Sequence, residues 1–171
     1  IMDLSENGMQ PMTCEDGSVT IVYNGEIYGY DLLKKELEKK YHFQSHSDTE
    51  VILYAYLEYG DRFLDHIDGM FAIAIYDRRN RQIKLYRDRA GIKPLYYYYR
   101  DGQFAFASEL KALTAACTDV DWKIDYTALY DYLFYQYIPD PKTMYKDCYK
   151  LSPAHMLVYD LEKRRIKEVS K

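Results

Sequence analysis

The sequence predicts an α+β domain in which helices and antiparallel strands occupy separate layers. Its 171 residues fit a single domain and are enough to bury a core. Two helical patterns lie between residues 31 and 60, strand patterns follow from residue 69 to 107, and two more helical patterns come after them. Because helices and hairpins are segregated along the chain, antiparallel sheets covered by helices are favoured over alternating βαβ units.

The first part of the chain predicts one strand and one helix. Residues 18–23 are rich in β-branched and aromatic side chains, which is typical of a strand. The Asn24-Gly25 dipeptide that follows predicts a turn. Asp31 is expected to cap a helix in which Leu33 and Leu37 recur at helical spacing.

A second helix is predicted from a capping box at Ser47-Asp48-Thr49-Glu50. In such a box the Ser47 hydroxyl accepts from the Glu50 amide while the Glu50 carboxylate reaches back. The helix is expected to end near Gly60. Its inward-facing residues are expected to be Val51, Ile52, Ala55 and Tyr56.

The middle of the chain predicts a block of strands. Residues 70–76 are an almost unbroken apolar run, as expected of a strand that is covered on both faces. Asp101-Gly102 is a strong hairpin signal. The expected order is a strand at 70–76, a polar turn at 78–81, and strands at 83–87, 94–99 and 103–107.

Two helices and a set of short strands complete the expected fold. Ser108 is expected to cap a helix that runs through Leu113, and Asp125 to cap one that runs through Leu133. Residues 144–169 predict short strands and turns.

Composition and charge exclude several classes of function. The formal net charge is −4 and the densest basic cluster covers only residues 163–165, so nucleic acid is not expected as a partner. No apolar run approaches the roughly 20 residues of a membrane span, so no membrane is expected either. The three cysteines and four histidines show no zinc-ligand spacing, so no metal site is expected. Widely spaced cysteines of odd number are typical of a reducing, cytoplasmic compartment.

Polar groups concentrate at the expected end of the first strand and at the expected start of the second helix. Asn24, Gly25 and Glu26 follow the first strand, and Asp48 lies in the first turn of the second helix. If these ends meet at one sheet edge, they offer amide donors and two carboxylates to a ligand that carries a carbonyl and an ammonium group. The alternative is structural, with Asn24-Gly25 as a plain turn and Asp48 as compensation for the helix dipole.

Two further features favour structural interpretations. The charged segment 87–94 is interpreted as a loop fixed by ion pairs and a turn, with contact to a partner domain as the alternative. A nucleophile needs a base beside it, and Cys14, Cys117 and Cys148 have no His or Lys placed by an evident motif. We interpret these cysteines as buried or incidental.

Seven short motifs occur in unbroken order along nearly the whole chain. They are Asp3-Leu4-Ser5, Gln10-Pro11-Met12, Asn24-Gly25-Glu26-Ile27-Tyr28, Ser47-Asp48-Thr49-Glu50, Gly69-Met70-Phe71-Ala72, Arg87-Asp88-Arg89 with Gly91-Ile92-Lys93-Pro94-Leu95-Tyr96, and Phe106-Ala107-Ser108-Glu109. Each motif is weak alone, but seven in register are specific, and together they resemble the glutaminase domain of bacterial glutamine-dependent asparagine synthetases. Residues 137–139, 141–143 and 150–153 resemble the segment that leads into the synthetase domain of that family.

The resemblance implies a fold and a set of roles. The family belongs to the N-terminal-nucleophile hydrolases, which form an αββα sandwich of two antiparallel sheets between helical layers. In these enzymes an N-terminal cysteine attacks the glutamine side-chain amide with its own α-amine as base, and the released ammonia amidates aspartate in an ATP-dependent synthetase domain. By resemblance, Asn24 and Gly25 form the oxyanion hole, and Glu26 and Asp48 bind the α-amino end of glutamine.

Compared with the family pattern, this chain is expected to be a truncated domain. The family segment that carries the cysteine nucleophile and an arginine for the substrate carboxylate precedes Ile1. The sandwich is therefore expected to be incomplete and the chain inactive alone. Residues 1–171 then form a type 2 glutamine amidotransferase domain, of which 137–171 leads toward an absent synthetase domain.

The resemblance also implies partners. They are glutamine, the synthetase domain of the full-length protein and, as an open alternative, a second copy in a homodimer. No cofactor is expected in this chain, and ATP and Mg²⁺ belong to the absent domain. Two other functions stay open: a catalytically inactive module that binds glutamine or docks on another protein, and an amidotransferase with a different amide acceptor.

Overall fold

The structure, a computed structural model that describes residues 8–170, has two antiparallel sheets between layers of helix. Strands occupy Met12–Thr13 (β1), Val19–Tyr28 (β2), Asp68–Asp77 (β3), Gln82–Arg87 (β4), Tyr96–Arg100 (β5), Gln103–Ala107 (β6), Cys148–Lys150 (β7), Met156–Asp160 (β8) and Arg165–Ser170 (β9). Helices occupy Asp31–Leu37 (α1), Asp48–Tyr59 (α2), Leu110–Ala116 (α3) and Tyr126–Tyr135 (α4), and a short 3-10 helix, Gly60–Asp65, follows α2 directly.

Within residues 8–170, the larger sheet has six strands in the order β1-β2-β3-β4-β8-β9, and the smaller has three in the order β6-β5-β7. Neighbouring strands run antiparallel throughout both sheets. Strands β2 and β3 pair over all ten residues, from Val19 opposite Asp77 to Tyr28 opposite Asp68. This long pairing gives the candidate site a rigid frame.

Three hydrophobic cores separate four layers. Along β3, Ile73 and Ile75 belong to the core beneath α1 and α2, whereas Ala72 and Ala74 belong to the core between the two sheets. A smaller core includes Leu113 of α3 and covers the outer face of the second sheet. The resulting helix–sheet–sheet–helix order confirms the αββα sandwich.

The predicted strands 70–76, 83–87 and 103–107 and the hairpin at Asp101-Gly102 are confirmed. The four side chains predicted to face inward from the second helix are all buried, and that helix ends at Gly60. Within residues 137–171, strands β7 to β9 belong to the two sheets. That this segment leads toward a synthetase domain stays a prediction.

The turn predicted at Asn24-Gly25 is wrong, because β2 continues through both residues to Tyr28. A Cβ built on Gly25 would lie 2.2 Å from the Met70 carbonyl oxygen and 2.8 Å from the Phe71 Cα. Glycine is therefore required at this position by the close approach of β3 and not by a turn. The candidate residues lie inside a strand instead of following one.

The capping box at α2 uses different partners from those predicted. The Ser47 hydroxyl accepts from the Thr49 amide at 3.2 Å and not from the Glu50 amide. The Glu50 carboxylate accepts from the backbone N–H groups of Gln44 and Ser45 at 2.9 and 2.8 Å. Glu50 thus ties the preceding segment to the helix instead of closing the box on Ser47.

Two other predicted caps are wrong and one is confirmed. Asp31 is the first residue of α1 and makes no side-chain cap there. Ser108 does not cap α3, whose N-cap position is taken by Glu109. Asp125 does cap α4, since its carboxylate accepts from the Thr127 amide at 2.9 Å.

Within residues 8–170, no helix combines the length and apolar character needed to cross a membrane.

Candidate functional site

The site is built along the outer edge of β2, where β1 stops. Strand β1 pairs only with Thr20 and Ile21. Beyond them, the Tyr23 N–H donates to the Gln10 side-chain oxygen at 2.6 Å, and the Ile27 N–H donates to Asp48 Oδ2 at 3.3 Å. Among residues 8–170, side chains therefore take the place of a neighbouring strand at this edge.

The backbone N–H of Gly25 is directed to the same edge. In an antiparallel strand, alternate residues direct their N–H groups to one side, so Gly25 points its N–H between the satisfied donors of Tyr23 and Ile27. Phe71 lies opposite Gly25 but hydrogen-bonds to Asp88 on the far side of β3. The Phe71 N–H donates to Asp88 Oδ2 at 3.3 Å, and the Phe71 carbonyl accepts from the Asp88 N–H at 2.9 Å. Gly25 and Phe71 therefore do not hydrogen-bond to each other, so among residues 8–170 the Gly25 N–H has no strand partner and is available to a ligand.

Asp48 is buried at the start of α2 and is held by two hydrogen-bond donors of β2. Its Oδ2 accepts from the Tyr23 hydroxyl at 2.9 Å as well as from the Ile27 amide. Burial and the adjacent Asp48 carboxylate raise the pKa of Tyr23 well above its usual value, so the phenol stays a donor. A carboxylate offers about four lone-pair positions, so Asp48 keeps acceptor capacity for a ligand.

A cavity of about 350 Å³ opens beside these residues and lies within the volume range of ligand pockets. The structure brings the four residues singled out in the sequence together on its wall. The lining residues are Gly8, Gln10, Tyr23, Asn24, Gly25, Glu26, Ser47, Asp48, Thr49, Met70 and Lys93. Their juxtaposition is a structural fact, whereas their roles toward glutamine stay predictions.

The side chains of Asn24 and Glu26 share one face of β2, opposite that of Tyr23. Asn24 is exposed, and its side-chain N–H donates to the Ser108 hydroxyl at 3.2 Å. Ser108 lies just after β6, so this bond links β2 of the larger sheet to the end of a strand of the smaller sheet. It holds the Asn24 amide in one orientation.

Gln10, Tyr23 and Lys93 line the site but were not identified as site residues from the sequence. Lys93 is the one cationic residue among the described lining residues. It lies in the 87–94 segment, and its backbone is held on both sides. The Lys93 N–H donates to Asp88 Oδ2 at 2.9 Å, and the Lys93 carbonyl accepts from Arg87 Nε at 2.9 Å. Lys93 belongs to the motif at residues 91–96, but that motif gives no sign of a ligand role, because the approach of Lys93 to the cavity depends on how the 87–94 segment folds.

The 87–94 segment is fixed as predicted, but mainly by backbone hydrogen bonds instead of ion pairs. Asp88 is buried and accepts N–H bonds from Phe71, Ala90, Ile92 and Lys93. Although burial opposes it, these N–H groups hold the pKa of Asp88 below its usual value. The loop is thus locked in the conformation that presents Lys93.

None of the three cysteines lines the cavity. Cys14 and Cys148 are buried, as predicted, and Cys117 is half-buried. Burial raises the pKa of the Cys148 thiol to about 11 and also raises that of Cys117. A raised pKa leaves little thiolate, which is the reactive form.

The arrangement suits one class of chemistry. The Gly25 N–H and the Asn24 amide are donors for an oxygen that gains negative charge, which is the requirement of an oxyanion hole. Glu26 and Asp48 supply carboxylates for an ammonium group. The ligand that fits these groups together carries both a carbonyl and a protonated amine.

Comparison with known proteins finds one matching family model and several similar sequences. The model of the glutamine amidotransferase domain family matches residues 1–169. The chain is 42% identical to asparagine synthetase (glutamine-hydrolysing) 1 of Bacillus subtilis, with 87% of this chain and 23% of that protein covered. It is 37% identical to putative asparagine synthetase (glutamine-hydrolysing) 2 of Methanocaldococcus jannaschii, with 98% and 35% covered. The chain therefore spans about a quarter to a third of the length of these relatives.

A solved structure supports the fold. Glutamine phosphoribosylpyrophosphate amidotransferase from B. subtilis, complexed with ADP and GMP, superposes with a TM-score of 0.67. The match covers 98% of this chain and 32% of that one, at 21% sequence identity. At this identity the likeness concerns the fold alone.

Proposed function

This chain belongs to the glutamine amidotransferase domain family, and on that premise we propose that its cavity binds glutamine for the hydrolysis step of an asparagine synthetase. The observation that carries the proposal is the convergence of Asn24, Gly25, Glu26 and Asp48 on one cavity. Donors and carboxylates of this kind match the two ends of glutamine.

In the proposed complex, the Glu26 and Asp48 carboxylates bind the α-ammonium group of glutamine. Its side-chain carbonyl lies against the Gly25 N–H and the Asn24 amide, which Ser108 orients. Lys93, the cation among the described lining residues, pairs with the α-carboxylate. This assignment gives each charged group of the ligand an opposite charge in the cavity.

In the proposed reaction, a thiolate attacks the side-chain amide carbon, and the carbonyl oxygen becomes an oxyanion that accepts from Gly25 and Asn24. Donors positioned for that oxyanion stabilise the transition state more than the ground state. The proton that the thiol gave up passes to the amide nitrogen, so that collapse expels ammonia and leaves a thioester, which water hydrolyses to glutamate and the free thiol. Since Cys14, Cys117 and Cys148 lie away from the cavity wall, we propose that the thiolate comes from outside residues 8–170 and that this chain alone binds glutamine without hydrolysing it.

The proposal extends to the longer protein. The names and lengths of the relatives support a further, asparagine-forming synthetase domain that would receive the ammonia. We propose that this domain uses ATP and Mg²⁺ to amidate aspartate. The three cysteines are free thiols, which supports a reducing compartment such as the cytoplasm.

Thermal unfolding with added L-glutamine, together with an assay for glutamate, tests the proposal. A ligand that binds only the folded state raises the melting temperature as its concentration rises. We expect such a rise with glutamine and no glutamate above buffer when all three cysteines are reduced. No rise would contradict binding in the cavity. Clear turnover would contradict an external nucleophile, and Cys14→Ala would then be the first variant to test.

A further inference from the structure

The carboxylate of Asp48 is held through one of its two oxygens. The Tyr23 hydroxyl donates to Asp48 Oδ2 at 2.9 Å, and the Ile27 N–H donates to the same oxygen at 3.3 Å. Asp48 is only 3% exposed, and a buried charge is costly unless it is hydrogen-bonded. Within residues 8–170, these two bonds leave Oδ1 to a ligand in the cavity that Asp48 lines.

The Tyr23 hydroxyl is the stronger of the two donors. Its bond of 2.9 Å lies within the usual range for O–H···O, whereas the Ile27 bond of 3.3 Å is longer than the usual range for N–H···O. The terminal torsion of an aspartate side chain is broad, so the Ile27 bond alone would let the carboxylate turn. The phenol therefore determines the direction of Oδ1.

The Tyr23 ring is itself held in place without its hydroxyl. It is buried in the core that β2 shares with α2. The Tyr23 N–H donates to Gln10 Oε1 at 2.6 Å, and Gln10 Nε2 donates to Thr49 Oγ1 at 3.3 Å. Gln10 thus ties β2 to the first turn of α2 through bonds that do not involve the phenol. Loss of the hydroxyl alone should leave this strand and this helix where they are.

We propose that Tyr23 is a positioning residue that makes the cavity selective for ligands with an ammonium group, by directing Asp48 Oδ1 toward that group. This inference rests on the proposed binding of glutamine. A ligand without the ammonium group gains nothing from the direction of Oδ1, whereas glutamine gains a charge-assisted hydrogen bond, which depends on geometry. Tyr23 therefore acts on selectivity through Asp48 and not by touching the ligand.

Calorimetric titration of Tyr23→Phe tests this role. The ligands are L-glutamine and 4-carbamoylbutanoate, which is glutamine without its α-amino group. The wild type is expected to prefer glutamine by tenfold or more. Tyr23→Phe should bind 4-carbamoylbutanoate like the wild type but bind glutamine about tenfold more weakly, so that most of the preference is lost. A merely structural role of the hydroxyl would weaken both ligands alike.

Tyr56→Phe is the matched control. The Tyr56 hydroxyl also donates to the Oδ2 atom of a buried aspartate, Asp77, at the same distance of 2.9 Å. Tyr56 lies on α2 but outside the described lining residues of the cavity. Both variants should have similarly lowered urea midpoints, since each loses one buried hydrogen bond of the same kind. Tyr56→Phe should nevertheless keep the wild-type preference for glutamine.

The outcomes separate this inference from the proposed function. A wild type that binds neither ligand, or binds both equally, would overturn both. A wild type that prefers glutamine, together with a Tyr23→Phe variant that keeps this preference or weakens both ligands alike, would overturn the role of Tyr23 alone. Loss of the preference in Tyr56→Phe as well would also overturn it, because general loosening of α2 would then explain the effect.

Discussion

Replacing Gly25 by alanine tests whether the site depends on the close approach of β2 and β3. The new Cβ would lie 2.2 Å from the Met70 carbonyl oxygen, whereas carbon–oxygen contacts normally lie at about 3.3 Å. The strands would have to separate locally by roughly 1 Å, since both clashing groups belong to the backbone of β3 and cannot rotate away.

The expected cost follows from this geometry. Overpacking of a well-packed region costs about 1–3 kcal/mol, and a clash with backbone in the frame of the sheet belongs at the upper end. Alanine restricts the unfolded chain more than glycine does, and this offsets about 0.5–1 kcal/mol of the cost. We therefore expect Gly25→Ala to lose about 2 kcal/mol of unfolding free energy, which for a chain of this length lowers the melting temperature by about 4–8 °C.

Urea unfolding followed by circular dichroism measures this loss as a lower midpoint at unchanged slope. Gly29→Ala is the control, because Gly29 has a φ of 61° but no atom within 4 Å of its Cβ position. It should lose only about 1 kcal/mol, from the left-handed backbone alone. A Gly25→Ala variant that unfolds at the wild-type midpoint would refute the reasoning, since the strands could then separate at no cost.

Two further predictions concern charge. Asp77 is buried, and despite its burial, hydrogen bonds from Arg79, Asn80 and Tyr56 lower its pKa from 3.8 to about 2. The ionised carboxylate therefore stabilises the fold above about pH 4 by about 2 kcal/mol, and this contribution is lost as the pH falls toward 2. Asp77→Asn should accordingly unfold earlier in urea at pH 7 than the wild type, with the difference shrinking on acidification, whereas a difference constant with pH would contradict this origin. Lys93→Met should weaken glutamine binding about tenfold, since a charge-assisted hydrogen bond contributes about 1.5–3 kcal/mol. Binding of glutaminamide, which lacks the α-carboxylate, should be unchanged in this variant. Equal weakening of both ligands would argue against the proposed pairing of Lys93 with the α-carboxylate.

Sequence patterns predict the layers of this fold well because the core residues repeat with the periods of their elements. The alternation in β3 is an example: Ile73 and Ile75 pack toward the helices while Ala72 and Ala74 pack toward the second sheet. Local signals fail where pairing over many residues outweighs them. Asn24-Gly25 favours a turn by itself, yet ten paired residues hold it inside β2.

The candidate site could be predicted only in part. Glu26 and Asp48 are identifiable because they belong to recognisable motifs at adjacent elements. Lys93 also belongs to a recognisable motif, but its place at the site could not be predicted, since its approach to the cavity depends on the bonds of the Asp88 carboxylate to the loop backbone. Ser108 was expected to cap a helix, but its hydroxyl accepts from Asn24, which lies 84 residues away in the sequence. Contacts of this range follow from the assembled fold and not from local pattern.

Calorimetric titration with L-glutamine and with its analogue that lacks the α-amino group, in the wild type and in Glu26→Gln, tests the central claim most directly. If the Glu26 and Asp48 carboxylates bind the α-ammonium group, the wild type should prefer glutamine by tenfold or more, as expected for a charge-assisted hydrogen bond. Glu26→Gln should lose most of that preference while keeping the wild-type unfolding midpoint. Equal affinity of the wild type for both ligands, or a preference that Glu26→Gln leaves intact, would contradict glutamine recognition at this cavity.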